Sequence, residues 1–216
     1  MILEIRLSNF FSIKDEIVLD MRAGKSQSRK VRELENNVFT YKNEKILKAV
    51  ALYGANASGK SNIIKAIRFC CMMVFQSHTH NESHNFNFIP FKFEGFTDKP
   101  SSFVIKFVLK DIEYEYGFTV TRTKILTESL YYYPNERRAK VFVRDETGGT
   151  KKTDKYSFGT GIKKPLDVAE NTSEKTLYIS RARQMDREMG KEIFTFFSEQ
   201  FILAYTGTTN ANEETL

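Results

Sequence analysis

An α/β fold, with a mixed core sheet and an attached antiparallel β-sheet, is predicted by three observations. A glycine-rich segment, Gly54-Ala55-Asn56-Ala57-Ser58-Gly59-Lys60-Ser61, separates an apolar run from a stretch that is apolar at helical spacing. The N-terminus, Met1-Ile2-Leu3-Glu4-Ile5-Arg6-Leu7, alternates with period two. From residue 101 onwards, period-two segments recur between turn residues, the pattern of a meander.

The glycine-rich segment matches G-x-x-x-x-G-K-[ST] at every fixed position. Lys48-Ala49-Val50-Ala51-Leu52-Tyr53 before it reads as a short buried strand, and Asn62 to Phe75 after it as a helix. Strand, glycine loop and helix in that order make this a phosphate-binding loop, and a nucleoside triphosphate is its expected ligand. Gly54 and Gly59 allow the backbone to come close to phosphate oxygens. The amide N–H groups of Ala55, Asn56, Ala57, Ser58 and Asn62 then form an anion nest at the positive end of the helix. Lys60 is expected to reach the β- and γ-phosphates, and the Ser61 hydroxyl to ligate Mg²⁺.

Along the rest of the chain, Glu16 to Met21 reads as a second strand, and 22–37 as a polar, basic loop. Val38 to Tyr41 and Ile46-Leu47 flank a turn at Lys42-Asn43-Glu44. Residues 77–100 form a connection, and 101–147 an antiparallel insert with a tight hairpin at Lys110-Asp111. Residues 148–176 read as an irregular loop, and Leu177 to Ser180 as a short strand. Arg187 to Leu203 is amphipathic, with Ile193, Phe194, Phe197 and Phe201 on one stripe. Residues 206–216 form a polar tail.

The balance of 33 basic and 27 acidic residues gives a net charge of +6, compatible with nucleic acid or an acidic partner without requiring either. No apolar stretch is long enough to span a bilayer, and the N-terminus is not a signal peptide. Cys70 and Cys71 are adjacent in the helix and point apart, so a reducing, cytoplasmic setting is expected.

A second strand ending in an acid, which hydrolysis needs, is not evident. Phe107 to Asp111 is better read as a half-exposed hairpin strand with Asp111 in its turn. Ser157-Phe158-Gly159-Thr160-Gly161 is better read as a loop than as a signature motif. His78, His80 and His84 read as loop histidines rather than metal ligands. Of Tyr131-Tyr132-Tyr133, at least one ring is expected to pack inward, which favours sheet packing over base stacking.

Leu7 to Lys14, Tyr53 to Asn62 and the β-rich insert together resemble the RecF/SMC/OLD-like branch of ABC-type ATPases. The similarity is to AAA-family ATP-binding proteins of bacterial defence loci, of the RloA and PARIS types, and covers the N-terminal half of such an ATPase head. The resemblance implies ATP and Mg²⁺ as cofactors, with Asn56 to Asn62 around the triphosphate. It also makes Gln184 the Q-loop residue, contacting Mg²⁺ or the attacking water. Phe11 departs from the pattern, since many relatives carry Arg there. The Walker B acid, signature motif and switch histidine are expected beyond Leu216, so the chain reads as a truncated product or one half of a split protein. The implied partners are a second copy or the C-terminal half of the same ATPase, and an effector such as a TOPRIM nuclease. Two rival readings are a DNA-repair or chromosome-handling ATPase and a nucleotide-binding scaffold that does not hydrolyse.

Overall fold

The computed structural model describes residues 1–24, 35–56, 58–160 and 166–201. Strand β1 (Ile2–Ser8) buries Ile5 and Leu7 in the main core, and Leu3, at a shift in register, in a separate cluster with Ile46 and Val108. It lies between β2 (Ile17–Asp20) and β5 (Ser101–Leu109), with Ile5 opposite both Leu19 and Ile105. The chain then runs as a meander through β6 (Ile112–Val120), β7 (Ile125–Tyr132), β8 (Ala139–Asp145) and β9 (Tyr156–Phe158). Among the described residues this makes one seven-stranded sheet, in the order β2-β1-β5-β6-β7-β8-β9. A hairpin of β3 (Val38–Tyr41) and β4 (Glu44–Leu47) abuts β2, where Leu47 N–H donates to the Met21 carbonyl.

Among the described residues four α-helices accompany the sheet: α1 (Lys60–Gln76), α2 (Leu166–Glu170), α3 (Tyr178–Gln184) and α4 (Glu188–Gln200). The α1 face carrying Ala66, Cys70, Cys71, Met73 and Val74 joins Ile5, Leu7, Phe103, Ile105 and Phe118 of the sheet in one core. Phe107 stacks on Phe196 of α4 at 4.2 Å between ring centroids. Both cysteines are buried free thiols, and burial pushes Cys71 up to about 12.

Four expectations change here. Every pairing in the large sheet is antiparallel, so the core sheet is not mixed among the described residues. The run into the glycine loop, Ala49 to Tyr53, belongs to no described strand and is exposed, not buried. Its apolar composition favours an extended chain but does not specify a partner, and pairing is a non-local event. Residues 148–176 are not wholly irregular: they contain a 3-10 turn at Lys152–Lys155, edge strand β9 and helix α2.

The fourth change is at Leu177-Tyr178-Ile179-Ser180, which begins helix α3 instead of forming a strand. The reason lies in β7. The Glu128 carboxylate, fully buried, accepts the N–H groups of Tyr178 at 2.5 Å and Ile179 at 3.1 Å, and the Tyr116 hydroxyl at 2.9 Å. These are first-turn donors that a helix cannot satisfy itself, so the sheet supplies the cap. Arg144 on β8, also fully buried, donates to the carbonyls of Thr176 at 2.6 Å and Ser173 at 2.8 Å, and to Glu146 at 2.6 Å. A polar staple thus fixes the 173–179 segment to the sheet.

Candidate phosphate-binding site

The glycine loop closes on its own lysine. Lys60 Nζ donates to the Gly54 carbonyl at 2.8 Å and the Ala55 carbonyl at 2.6 Å, and lies 3.3 Å from Ser58 Oγ. Gly59 occupies the N-cap of α1 with φ +93°, left-handed backbone that a side chain resists. Asn62 and Ile63 N–H groups donate to the Gly59 carbonyl, at 2.9 and 3.3 Å. Lys60 and Ser61 sit in the first turn, where intrahelical acceptors do not reach. That turn has no acidic residue and no side-chain cap, so its positive potential is not offset locally. Ala57 lies outside the described residues.

A second element braces the loop. Asn62 Nδ2 donates to Ser12 Oγ at 2.8 Å, and a Cβ on Gly59 would stand 3.0 Å from the same oxygen. Ser12 lies in a turn closed by an isolated bridge between Phe10 and Ile13. Buried Asn9 fixes that turn: its Nδ2 donates to the Lys99 carbonyl at 2.7 Å and the Phe96 carbonyl at 2.9 Å. Its Oδ1 accepts the Phe91 N–H at 2.9 Å. The local sequence pattern does not mark Ser12 for this supporting role. The only local signal was a polar Asn-x-x-Ser interrupted by two phenylalanines, and the contact it makes is some fifty residues away.

The structure gathers Gly54, Ala55, Asn56, Ser58, Gly59, Lys60, Ser61 and Asn62 at one end of α1. It does not bring Gln184 to them. Helix α3 docks at the other end, where Ser180 Oγ meets the backbone N–H of His78 at 3.1 Å and its Nδ1 at 3.0 Å. Between the two ends lie the 17 residues of α1, a length of about 25 Å. Gln184 is exposed and its Oε1 accepts from Arg181.

The other constellations resolve structurally. His80 and His84 stack at 3.7 Å, and no group of metal-ligating residues forms among the described residues. Tyr132 packs against the core, while Tyr131 faces outward under Arg138 at 3.5 Å. Asp111 is a hairpin turn residue at φ +61°. Ser157 is paired with Val143 on β9, and Gly161 of the same motif lies outside the described residues. No helix among the described residues is long and apolar enough to cross a membrane.

A family model described as "AAA domain, putative AbiEii toxin, Type IV TA system" matches residues 49–198, from the segment entering the glycine loop to the last turn of α4. Among curated proteins none matches the chain. A match over more than half of the chain, enclosing the glycine loop, shows that the chain belongs to this AAA family of P-loop ATPase domains.

Proposed function

We propose that the chain binds ATP with Mg²⁺ at the Gly54–Asn62 loop and is the nucleotide-binding part of an ATPase. The observation that carries this reading is the Lys60 ammonium, held inside the loop by the Gly54 and Ala55 carbonyls at the uncapped N-terminus of a 17-residue helix. On nucleotide binding, β- and γ-phosphate oxygens replace those carbonyls as acceptors, a charge-assisted exchange. The exposed Ser61 hydroxyl fits a single protein ligand to the metal, with phosphate oxygens supplying others. A Mg²⁺ ion held by Ser61 would supply charge neutralisation for phosphoryl transfer. The residues of this chain grip and orient the triphosphate.

Hydrolysis also needs an acid to position water, and the first turn of α1 has none. We assign that part to a second copy, or to the C-terminal half of the same ATPase. Support comes from the apolar surface around the loop: Tyr53 is 91% exposed, and Val50, Leu52 and Ile64 are exposed with it. Large side chains left together in water mark a face that meets another protein surface. The family description supports a toxin–antitoxin or abortive-infection setting, in which nucleotide-dependent association controls an effector such as a nuclease.

The test is calorimetry with a non-hydrolysable Mg–ATP analogue on the wild-type chain and Lys60→Ala, with light scattering for association. Binding in the wild type that Lys60→Ala weakens at least tenfold supports the assignment. Equal binding by both, or none by either, refutes it.

A further inference from the structure

A cavity of about 500 Å³ runs along α1, and none of the loop residues Gly54 to Ser61 lines it. Lys65, Arg68, Met72 and Gln76 line it from one stripe of the helix, at spacings of three and four. Phe11 lines the end nearer the loop, and the stacked His80–His84 pair lines the other. The volume falls within the roughly 300–1,000 Å³ typical of small-molecule sites.

The bland reading is a wet groove beside a helix, and three features weigh against it. First, Lys65 and Arg68 are exposed cations that meet no carboxylate among the described residues; the one contact of Lys65 is the Phe11 ring at 5.2 Å. Second, Phe11 is held at φ +51°, a strained conformation for a bulky residue, by its N–H bond to the Ile89 carbonyl at 2.7 Å and by the Asn9 anchor. Those bonds hold the ring at the mouth despite the strain. Third, the inner wall is aromatic and thioether, with Phe69, Met72 and Phe86, surfaces that suit a flat ring. Burial, followed by the neighbouring His84, lowers the His80 pKa, so the imidazole in this wall is uncharged near neutral pH.

We infer that this cavity is a second ligand site, distinct from the phosphate loop, for a flat ring bearing an acidic group, with a nucleoside monophosphate as the representative chemistry. The ring lies on Phe69 and Met72, and the anion meets Lys65 and Arg68.

The probe is AMP, titrated calorimetrically into the Lys60→Ala chain so that the phosphate loop is disabled. Adenosine and inorganic phosphate serve as separate arms. The expected result is one AMP per chain, with adenosine and phosphate each binding more weakly. Because Lys65 and Arg68 are exposed, the Lys65→Glu/Arg68→Glu double variant should keep its melting temperature and lose AMP affinity by at least about tenfold. The proposal is overturned if AMP does not bind the Lys60→Ala chain, if charge reversal leaves its affinity unchanged, or if phosphate alone binds as well as AMP. AMP binding by a wild-type chain that ignores Mg–ATP analogues would retain this site and remove the loop assignment, so the two failures are separable.

Discussion

Replacing Arg144 by Met should destabilise the fold far more than its small share of the surface would imply. The side chain is fully buried, and its guanidinium bonds two backbone carbonyls and Glu146 while standing 3.8 Å from Glu128. Met fills much of the stem's volume, so the loss is electrostatic: Glu128 stays buried without a cation, and the Thr176 and Ser173 carbonyls lose their donor. Removing one partner of a buried pair costs about 3–5 kcal/mol. With a urea dependence near 2 kcal/mol per molar, the unfolding midpoint should fall by about 2 M. Adding Glu128→Gln to Arg144→Met removes the orphaned charge while keeping a carbonyl for the Tyr178 and Ile179 N–H groups. The double variant should therefore be more stable than the sum of the single losses implies, by about 1–3 kcal/mol. A loss below about 1 kcal/mol in Arg144→Met, or strict additivity in the double variant, would refute the staple as the element that seats α3.

Other outcomes follow from local geometry. Gly190→Ala sets a Cβ 2.4 Å from the Arg183 nitrogen and 2.7 Å from the Ala182 carbonyl carbon, backbone atoms that cannot turn aside. Urea melts should show a cost of about 1–3 kcal/mol, and an unchanged midpoint would mean that α4 slides freely over α3. Gly59→Ala strains a φ of +93° and crowds Ser12 Oγ; a penalty of about 1–2 kcal/mol is expected, together with weaker Mg–ATP binding by calorimetry. Unaltered affinity would separate loop geometry from phosphate binding. Glu115 is set by opposing effects: burial raises its pKa, but Arg138, Lys106 and Arg6 outweigh it and hold the carboxyl below its ordinary 4.5. A depressed carboxylate stabilises the fold above its unfolded pKa, and that contribution is lost as pH falls through the folded value. The stability difference between wild type and Glu115→Gln should accordingly shrink under acid, below about pH 4.5; a pH-independent difference in melting temperature would contradict it.

What the sequence discloses is what is encoded by neighbours. The glycine loop and α1 are contiguous, so motif and helical periodicity suffice for both. Lys110-Asp111 stands between two alternating runs, and the structure has both residues at positive φ in a two-residue hairpin. The failures are all non-local. Leu177 to Ser180 is a four-residue apolar run, too short for periodicity to separate strand from helix, and the deciding carboxylate is on β7. Ala49 to Tyr53 has the composition of a buried strand, but burial depends on partners that no residue in the run can specify. On α4, Phe196 joins Ile193 and Phe197 in the core, while Phe194 turns to Phe75 and Arg183. Both phenylalanines suit a hydrophobic stripe, and only the neighbouring helices choose between them. Gln184 could be assigned only by resemblance, and its distance from the loop depends on where α3 docks.

The strand order has a kinetic corollary. β5 to β9 zip as successive hairpins between near neighbours, but Ile5 reaches Ile105 only across a hundred residues of intervening chain. Contacts at such separation form late, because closure entropy must be spent before any pairing repays it. The N-terminal strand, which carries the Ser12 brace, is thus a latecomer to a meander that can nucleate alone. Competence to hold phosphate should mature after most of the secondary structure has already appeared.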